Sequence, residues 1–372
     1  MERWTCGECA REYAYELERC SWCGTELACA RSHSAEVISV TEVNVPSVGH
    51  EDVPYWCAFV RAEDGSQGIV KLDHSTAVGD RVSFVAEEQA ELALVGILGT
   101  GTMGRSLAEL LLGRGHAVVW CGRSHDRLSA AKAQLLDRLG RVMDEDQIAA
   151  AERRLTISAQ YEALGVCDVV VEAVVEETEP KQAALAAAEA TMRPDAILAT
   201  NTSGLSIEEL ASVLERPSNF GVLHFFNPAT RMRLVETAVG SRTSEATGDF
   251  LDAFSRSLGK VPIRVAAQPA FAVNRALMPL INEAVRELEE GVASAESIDE
   301  AVRLGLNHPM GPLALADLIG LDVVVKIMEN LAERTGDETY APRPLLQKKV
   351  ESGLLGRKTS EGFYAYQPRP IA

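Results

Sequence analysis

The chain has 372 residues, 47% of them hydrophobic and 24% charged, with a formal net charge of −18. That length leaves room for two or three domains and a sizeable core, and the acidity excludes a protein that binds nucleic acid by neutralising phosphates. Asp168 and Glu172 interrupt the strongest candidate for a membrane span, 166–175, so no membrane partner is expected. Met1-Glu2-Arg3-Trp4-Thr5-Cys6 has no apolar signal core, which points to a cytoplasmic location.

Without an export signal, the eight cysteines read as reduced thiols or metal ligands. Cys6-x-x-Cys9 and Cys20-x-x-Cys23 have the spacing of a zinc ribbon, in which four thiolates surround one metal. Residues 1–28 are too few to build a core, so the metal would supply the folding energy. The zinc would be structural, because four thiolates leave no open position for chemistry. The alternatives are a redox pair and a chance spacing. Residues 29–91 follow as short β segments, 37–40, 55–60, 68–72 and 81–85, separated by turns, which predict a small antiparallel barrel. Ribbon plus barrel resembles the zinc-ribbon and OB-fold modules that accompany acyl-CoA enzymes such as thiolases.

From Leu92 the texture changes to alternating apolar strands and Ala/Leu/Glu-rich helices, the mark of a parallel α/β sheet. The strand at 95–98 runs into Gly99-x-Gly101-Thr102-Met103-Gly104 and then a helical period. Gly99 permits the tight turn, Gly101 lets the backbone approach a pyrophosphate, and Gly104 lets the helix pack close to the strand. A strand at 117–120 follows at βαβ distance. A helix is expected over roughly 124–154, then strands at 168–173, 196–200 and 221–225. Past Pro269 the strand pattern stops, and helices are expected at 271–291, 297–304, 312–335 and 344–352. The expected order is therefore a zinc ribbon (1–28), an OB-like β-barrel (29–91), a Rossmann-type doubly wound domain (92–270) and an all-helical domain (271–372).

Several stretches in one order carry a resemblance. They are Gly99-x-Gly101-x-x-Gly104, Asn201-Thr202-Ser203-Gly204-Leu205, His224-Phe225-Phe226-Asn227-Pro228 with Leu234-Val235-Glu236, and Phe271-Ala272-Val273-Asn274-Arg275. His308-Pro309-Met310-Gly311-Pro312 and the segment from Gly356 to Tyr364 follow. Across residues 94–366 the chain resembles the 3-hydroxyacyl-CoA dehydrogenase family. The resemblance implies interconversion of 3-oxoacyl and (3S)-3-hydroxyacyl thioesters in fatty-acid metabolism, by an enzyme that dimerises through its helical domain.

The residues suit that chemistry. Oxidising a 3-hydroxyl needs a base for the O–H proton while hydride leaves carbon, and His224 can serve near neutral pH. Glu236, on the next short strand, can orient the ring and stabilise the imidazolium. A core histidine and a solvated strand end are the alternatives. The resemblance further implies that Ser203 and Asn274 contact the reacting oxygen and carbonyl, although either can equally be a helix cap. It also implies that Glu176, Lys181 and Asn227 contact the nicotinamide-ribose side of the cofactor; Glu176 and Lys181 are alternatively a helix-start pair. Lys132, Arg138 and Arg141 are candidates for holding CoA, or simply a solvated helix face.

One departure bears on the cofactor. The family usually closes its second strand with an acidic residue that binds the adenosine ribose hydroxyls. This chain has Gly122-Arg123-Ser124 instead. The repelling carboxylate is gone, and Arg123 and Ser124 offer a guanidinium and a hydroxyl to a 2′-phosphate. NADP(H) is therefore expected over NAD(H), with Ser124 as a plain N-cap the alternative. Two other functions fit the same sequence: the same chemistry on an acyl-carrier-protein thioester, and a scaffold docking a thiolase-like or hydratase partner through residues 1–91.

Overall fold

The computed structural model describes residues 4–5, 12–13, 28–29, 32–43, 55–62, 67–72, 76–85 and 93–367. The chain divides into two compact units, Met1–Glu91 and Leu92–Ala372.

In the first unit β1 (Trp4–Thr5), β2 (Glu12–Tyr13) and β3 (Ala28–Cys29) form an antiparallel sheet in the order β2-β1-β3. Cys6, Cys9, Cys20 and Cys23, the expected zinc ligands, lie outside the described residues. β4 (Ser32–Val43), β5 (Tyr55–Ala62), β6 (Gln67–Leu72) and β7 (Arg81–Val85) form a four-stranded antiparallel sheet in the order β6-β5-β4-β7. Val37, Ala58, Val60 and Val82 are buried together on it. A bulge between Val37 and Ser39 bends its longest strand. The described residues give one four-stranded sheet, and the rest of the barrel expected over 29–91 lies outside the described residues.

The second unit begins with β8 (Leu94–Leu98), α1 (Thr102–Gly113), β9 (Ala117–Cys121), α2 (His125–Leu139), α3 (Glu145–Arg153) and β10 (Leu155–Ser158). Next come β11 (Val169–Glu172), α4 (Thr178–Thr191), β12 (Ile197–Thr200), α5 (Ile207–Ala211), β13 (Phe220–Phe225), β14 (Leu234–Val239), α6 (Glu245–Ser257) and β15 (Val261–Arg264). The strands build one eight-stranded sheet in the order β10-β9-β8-β11-β12-β13-β14-β15. The first six in that order are mutually parallel, and β14 runs antiparallel to β13. The order reverses between β8 and β11, so their carboxyl ends open a crevice at a topological switch point. Both faces are covered. Val95, Ile97, Val169 and Val171 pack against Leu107, Leu111, Leu128 and Leu251, while Leu98 and Val170 pack against Leu164, Leu185 and Leu210. Burial on both faces explains why these strands read as continuous apolar runs.

The single helix expected over 124–154 is in fact two. Gly140 ends α2, and Asp144 starts α3 with a reciprocal capping box to Gln147. The short strands β10 and β15, which the sequence pattern did not mark, extend the sheet at its two edges. The helical region holds α7 (Val273–Glu289), α8 (Ala295–Gly305), α9 (Pro312–Ile319), α10 (Leu321–Thr335) and α11 (Pro344–Glu351). The helix expected over 312–335 breaks at Gly320, whose φ of +104° no helix accommodates. Met278, Ile281, Leu313, Val324, Met328 and Leu346 form this region's own core.

Asp317 holds the C-terminal segment to that core. Buried at 1% exposure, it accepts from the Phe363 and Tyr364 amides at 2.9 and 3.0 Å and from the Tyr366 hydroxyl at 2.9 Å. A Cβ on Gly362 would lie 2.0 Å from the Asp317 carboxylate, so only glycine lets the segment come this close. Asp317→Ala strands three donors and is expected to cost about 2–4 kcal/mol of stability in urea unfolding.

Candidate active site

The glycine loop links β8 to α1. Gly99, at φ +109°, donates its amide to the Cys121 carbonyl at 2.9 Å and accepts from the Trp120 indole at 2.8 Å. A Cβ on Gly104 would meet the Gly99 carbonyl oxygen at 2.1 Å, which is why glycine is required there. Gly101 differs, because a Cβ there would meet nothing within 4 Å. It is also the N-cap of α1, with no side chain capping the helix and no acidic residue in its first turn. Open space before uncapped amides, at the positive end of a helix, fits a dinucleotide pyrophosphate. Thr102 begins the helix, and Met103 packs on the sheet core.

Beyond the switch point, the antiparallel register of β13 and β14 sets His224 directly opposite Glu236. His224 Nδ1 and Glu236 Oε2 are 2.7 Å apart, with both side chains buried. The other carboxylate oxygen accepts the Ala272 and Val273 amides, each at 2.9 Å, at the start of α7. Burial pushes the Glu236 carboxyl up, but His224 and the two amides outweigh it and hold it below the ordinary range. Phe226 and Phe271 flank the His224 ring, with centroids at 4.6 and 5.6 Å. Asn201 Oδ1 accepts the Phe225 amide at 2.9 Å and secures the strand end. Asn274 lies buried in the first turn of α7 but does not cap it, because Glu236 satisfies those amides.

A second cluster holds Ser203. Glu176 Oε1 accepts the Ser203 amide at 2.7 Å, the Ser203 hydroxyl at 3.1 Å and the Thr202 hydroxyl at 2.6 Å. Ser203 caps no helix; Ser206 is the N-cap of α5. Lys181 is 1% exposed, with Nζ 2.8 and 3.0 Å from the two oxygens of Glu172 and 3.2 Å from Glu176 Oε2. Burial pushes Glu176 up as well, and Lys181 with the Thr202 and Ser203 donors pulls it below the ordinary range.

At the end of β9, Arg123 is exposed and Ser124 caps α2, accepting the Arg127 amide at 3.4 Å. A Cβ on Gly122 would lie 2.9 Å from Thr100 Cγ2, so glycine there also has a packing reason. A separate cavity of about 380 Å³ brings together Thr102, Asn227, Arg105, Arg138, Arg141 and Arg231. Of the candidate CoA residues, Arg138 and Arg141 line it, Arg138 3.6 Å from Glu109 of the same cavity and Arg141 paired with Asp137 at 2.8 Å, and Lys132 is paired with Glu152 at 2.9 Å. The loop that carries Asn227 is fixed by Ser106, which accepts the Ala229 amide at 2.7 Å, and by buried Lys260, which donates to the Ala229 and Met232 carbonyls.

Sequence reasoning missed Glu172, Arg105, Arg231, Ser106 and Lys260. Only Glu172 left a signal, as a charge inside an otherwise apolar strand.

A doubly wound sheet with an open helix N-terminus at its switch point, and a buried His–Glu pair beside it, is the architecture of a nicotinamide-dependent dehydrogenase. Residues 94–268 match the 3-hydroxyacyl-CoA dehydrogenase NAD-binding domain, and 271–366 match that family's C-terminal domain. A 3-hydroxybutyryl-CoA dehydrogenase of Clostridioides difficile is 43% identical over 275 residues, 73% of this chain and 98% of that protein. The human mitochondrial hydroxyacyl-coenzyme A dehydrogenase is 36% identical over 285 residues, 73% of this chain and 91% of that one. The crystal structure of (S)-3-hydroxybutyryl-CoA dehydrogenase PaaH1 from Ralstonia eutropha superposes with a TM-score of 0.72 at 41% identity, covering 75% of this chain and all of that one (100%). The chain belongs to the 3-hydroxyacyl-CoA dehydrogenase family, oxidoreductases that act on a CH–OH group with a nicotinamide cofactor.

Gly101→Val fills the open space without touching the core. It is expected to leave the thermal midpoint unchanged and to weaken nicotinamide dinucleotide binding by on the order of tenfold or more in a fluorescence titration. Acid should act through the two lowered carboxyls. The stability that Glu176 and Glu236 add is fully present above their unfolded value of about 4.3 and is lost as pH falls through their folded values. The thermal midpoint is therefore expected to hold at neutral pH and to fall below about pH 4.3, less steeply in Glu236→Gln.

Proposed function

We propose that the chain interconverts a 3-oxoacyl-CoA and its (3S)-3-hydroxyacyl-CoA, of the 3-hydroxybutyryl size named in its relatives, using NADP(H). The observation that carries the mechanism is the 2.7 Å contact between His224 Nδ1 and Glu236. It fixes the ring and leaves Nε2 as the atom that takes the hydroxyl proton in oxidation or returns it to the alkoxide in reduction. Glu236, held anionic by two helix amides, stabilises the imidazolium without accepting its proton. Ser203 and Asn274 orient the reacting oxygen and the thioester carbonyl. The nicotinamide, when bound, carries the hydride. Gly99, Gly101, Thr102, Met103 and Gly104 would hold its pyrophosphate, and Glu176, Lys181 and Asn227 its nicotinamide-ribose side.

The arginine-lined cavity supports CoA as carrier. On a chain of net charge −18, it gathers four guanidinium groups beside the glycine loop. Arg105 is spent on the Thr100 carbonyl and Gln134, Arg138 lies 3.6 Å from Glu109 and Arg141 pairs with Asp137 at 2.8 Å, while Arg231 has no acidic partner among the described residues. Such a pocket suits the phosphates of a nucleotide carrier. NADP(H) follows from Arg123, exposed next to the glycine that replaces the usual acid. Residues 1–28 would hold a structural zinc through Cys6, Cys9, Cys20 and Cys23, and two copies would pair through their helical regions.

The test is nicotinamide absorbance with acetoacetyl-CoA, NADPH and NADH in parallel. NADPH is expected to be oxidised faster, and Arg123→Ala to raise the KM for NADPH alone; preference for NADH would overturn the cofactor assignment. His224→Gln is expected to lower kcat by roughly 10²–10⁴-fold, and near-normal turnover would refute the general acid–base role.

A further inference from the structure

Glu172 has no part in the chemistry above, yet it is fully buried (0% exposed) at the carboxyl end of the central strand β11. Its register partners are Leu98 on β8 and Thr200 on β12, which places it at the floor of the crevice on a strand paired on both sides. Its carboxylate accepts from Lys181 at 2.8 and 3.0 Å, from the Thr200 hydroxyl at 2.6 Å and from the Val174 amide at 2.6 Å. Two carboxylates, Glu172 and Glu176, therefore share the one ammonium of Lys181, and they share it unequally. Glu172 takes both short contacts and Glu176 takes one at 3.2 Å.

That inequality has a consequence for Ser203. Because the ammonium is held toward Glu172, Glu176 keeps one oxygen wholly for the Thr202 hydroxyl and the amide and hydroxyl of Ser203. A lysine buried with Glu176 as its only acid would close onto both oxygens of that carboxylate and compete with Ser203 for it. A buried ion pair is a poor way to stabilise a strand end that apolar packing would serve as well. Its worth here is geometric. We propose that Glu172 is a positioning residue, the counter-charge that restrains Lys181 so that Glu176 can fix Ser203. Its effect on turnover rests on the dehydrogenase reading above; its effect on the geometry of Ser203 does not.

The experiment combines a crystal structure of Glu172→Gln with steady-state kinetics on acetoacetyl-CoA. In the variant, Lys181 should bind both Glu176 oxygens and the Ser203 hydroxyl should leave Glu176. kcat should fall by about tenfold to a hundredfold, as for other small misplacements of a reacting group, with the KM for the thioester nearly unchanged. Glu172→Asp keeps the counter-charge on the same strand and should retain more kcat than Glu172→Gln. A role in folding alone predicts a loss that tracks the loss of folded protein, with Ser203 still seated on Glu176 in the fraction that folds. Ser203 still seated on Glu176 in the Glu172→Gln structure, or a Glu172→Asp chain no faster than the Glu172→Gln chain, overturns the proposal. Release of Ser203 in a chain whose parent does not turn over acetoacetyl-CoA supports the network and sinks only the proposed reaction on that thioester. Should Glu172→Gln fail to fold, Glu172→Asp keeps the charge on a shorter arm: a fall in kcat with the KM for the thioester nearly unchanged supports the proposal, and unchanged kcat overturns it.

Discussion

One carboxylate joins the doubly wound sheet to the helical region. Glu236 divides its oxygens between the imidazole of His224 on the sheet and the first amides of α7 in the helical region. Buried at 1% exposure, it would be costly without partners, and it has three. The same bonds lower its proton affinity, orient the histidine and set the direction in which α7 leaves the sheet. Asn274 is carried to its place by that helix start. Loss of this one charge would disturb the histidine, the helix and the junction together.

Around this pair the molecule manages charge by burial. A strongly acidic chain has placed two carboxylates and one lysine below the crevice, and it has gathered arginines into a cavity beside the glycine loop. The first arrangement is rigid, anchored at strand ends, and suits fixing a hydroxyl. The second is open to solvent on long side chains and suits receiving a flexible anionic ligand.

Much of this was legible in the residues. The glycine spacing implied a strand-turn-helix because each glycine answers a local demand, and the alternation of strands and helices implied a doubly wound sheet followed by helices. His224 and Glu236 stand twelve residues apart across a short connection, close enough for a pair of adjacent strands to bring them together. The helix breaks at Gly140 and Gly320 were not legible, because the flanking segments keep a helical period through them. Glu172 showed only as an oddity in an apolar run. Its partners Lys181 and Thr200 lie on the next helix and the next strand, and no spacing rule links them.

The sequence by itself determined the class of fold, the dinucleotide loop and the family, since all three depend on local conformation and on motifs in a fixed order. It did not determine which charges pair. Whether Lys132 faces a ligand or Glu152, and whether Lys181 belongs to Glu172 or Glu176, depends on distances between elements packed from different parts of the chain. Electrostatic energy varies steeply with such distances once water is excluded, so only the packed structure decided the partners.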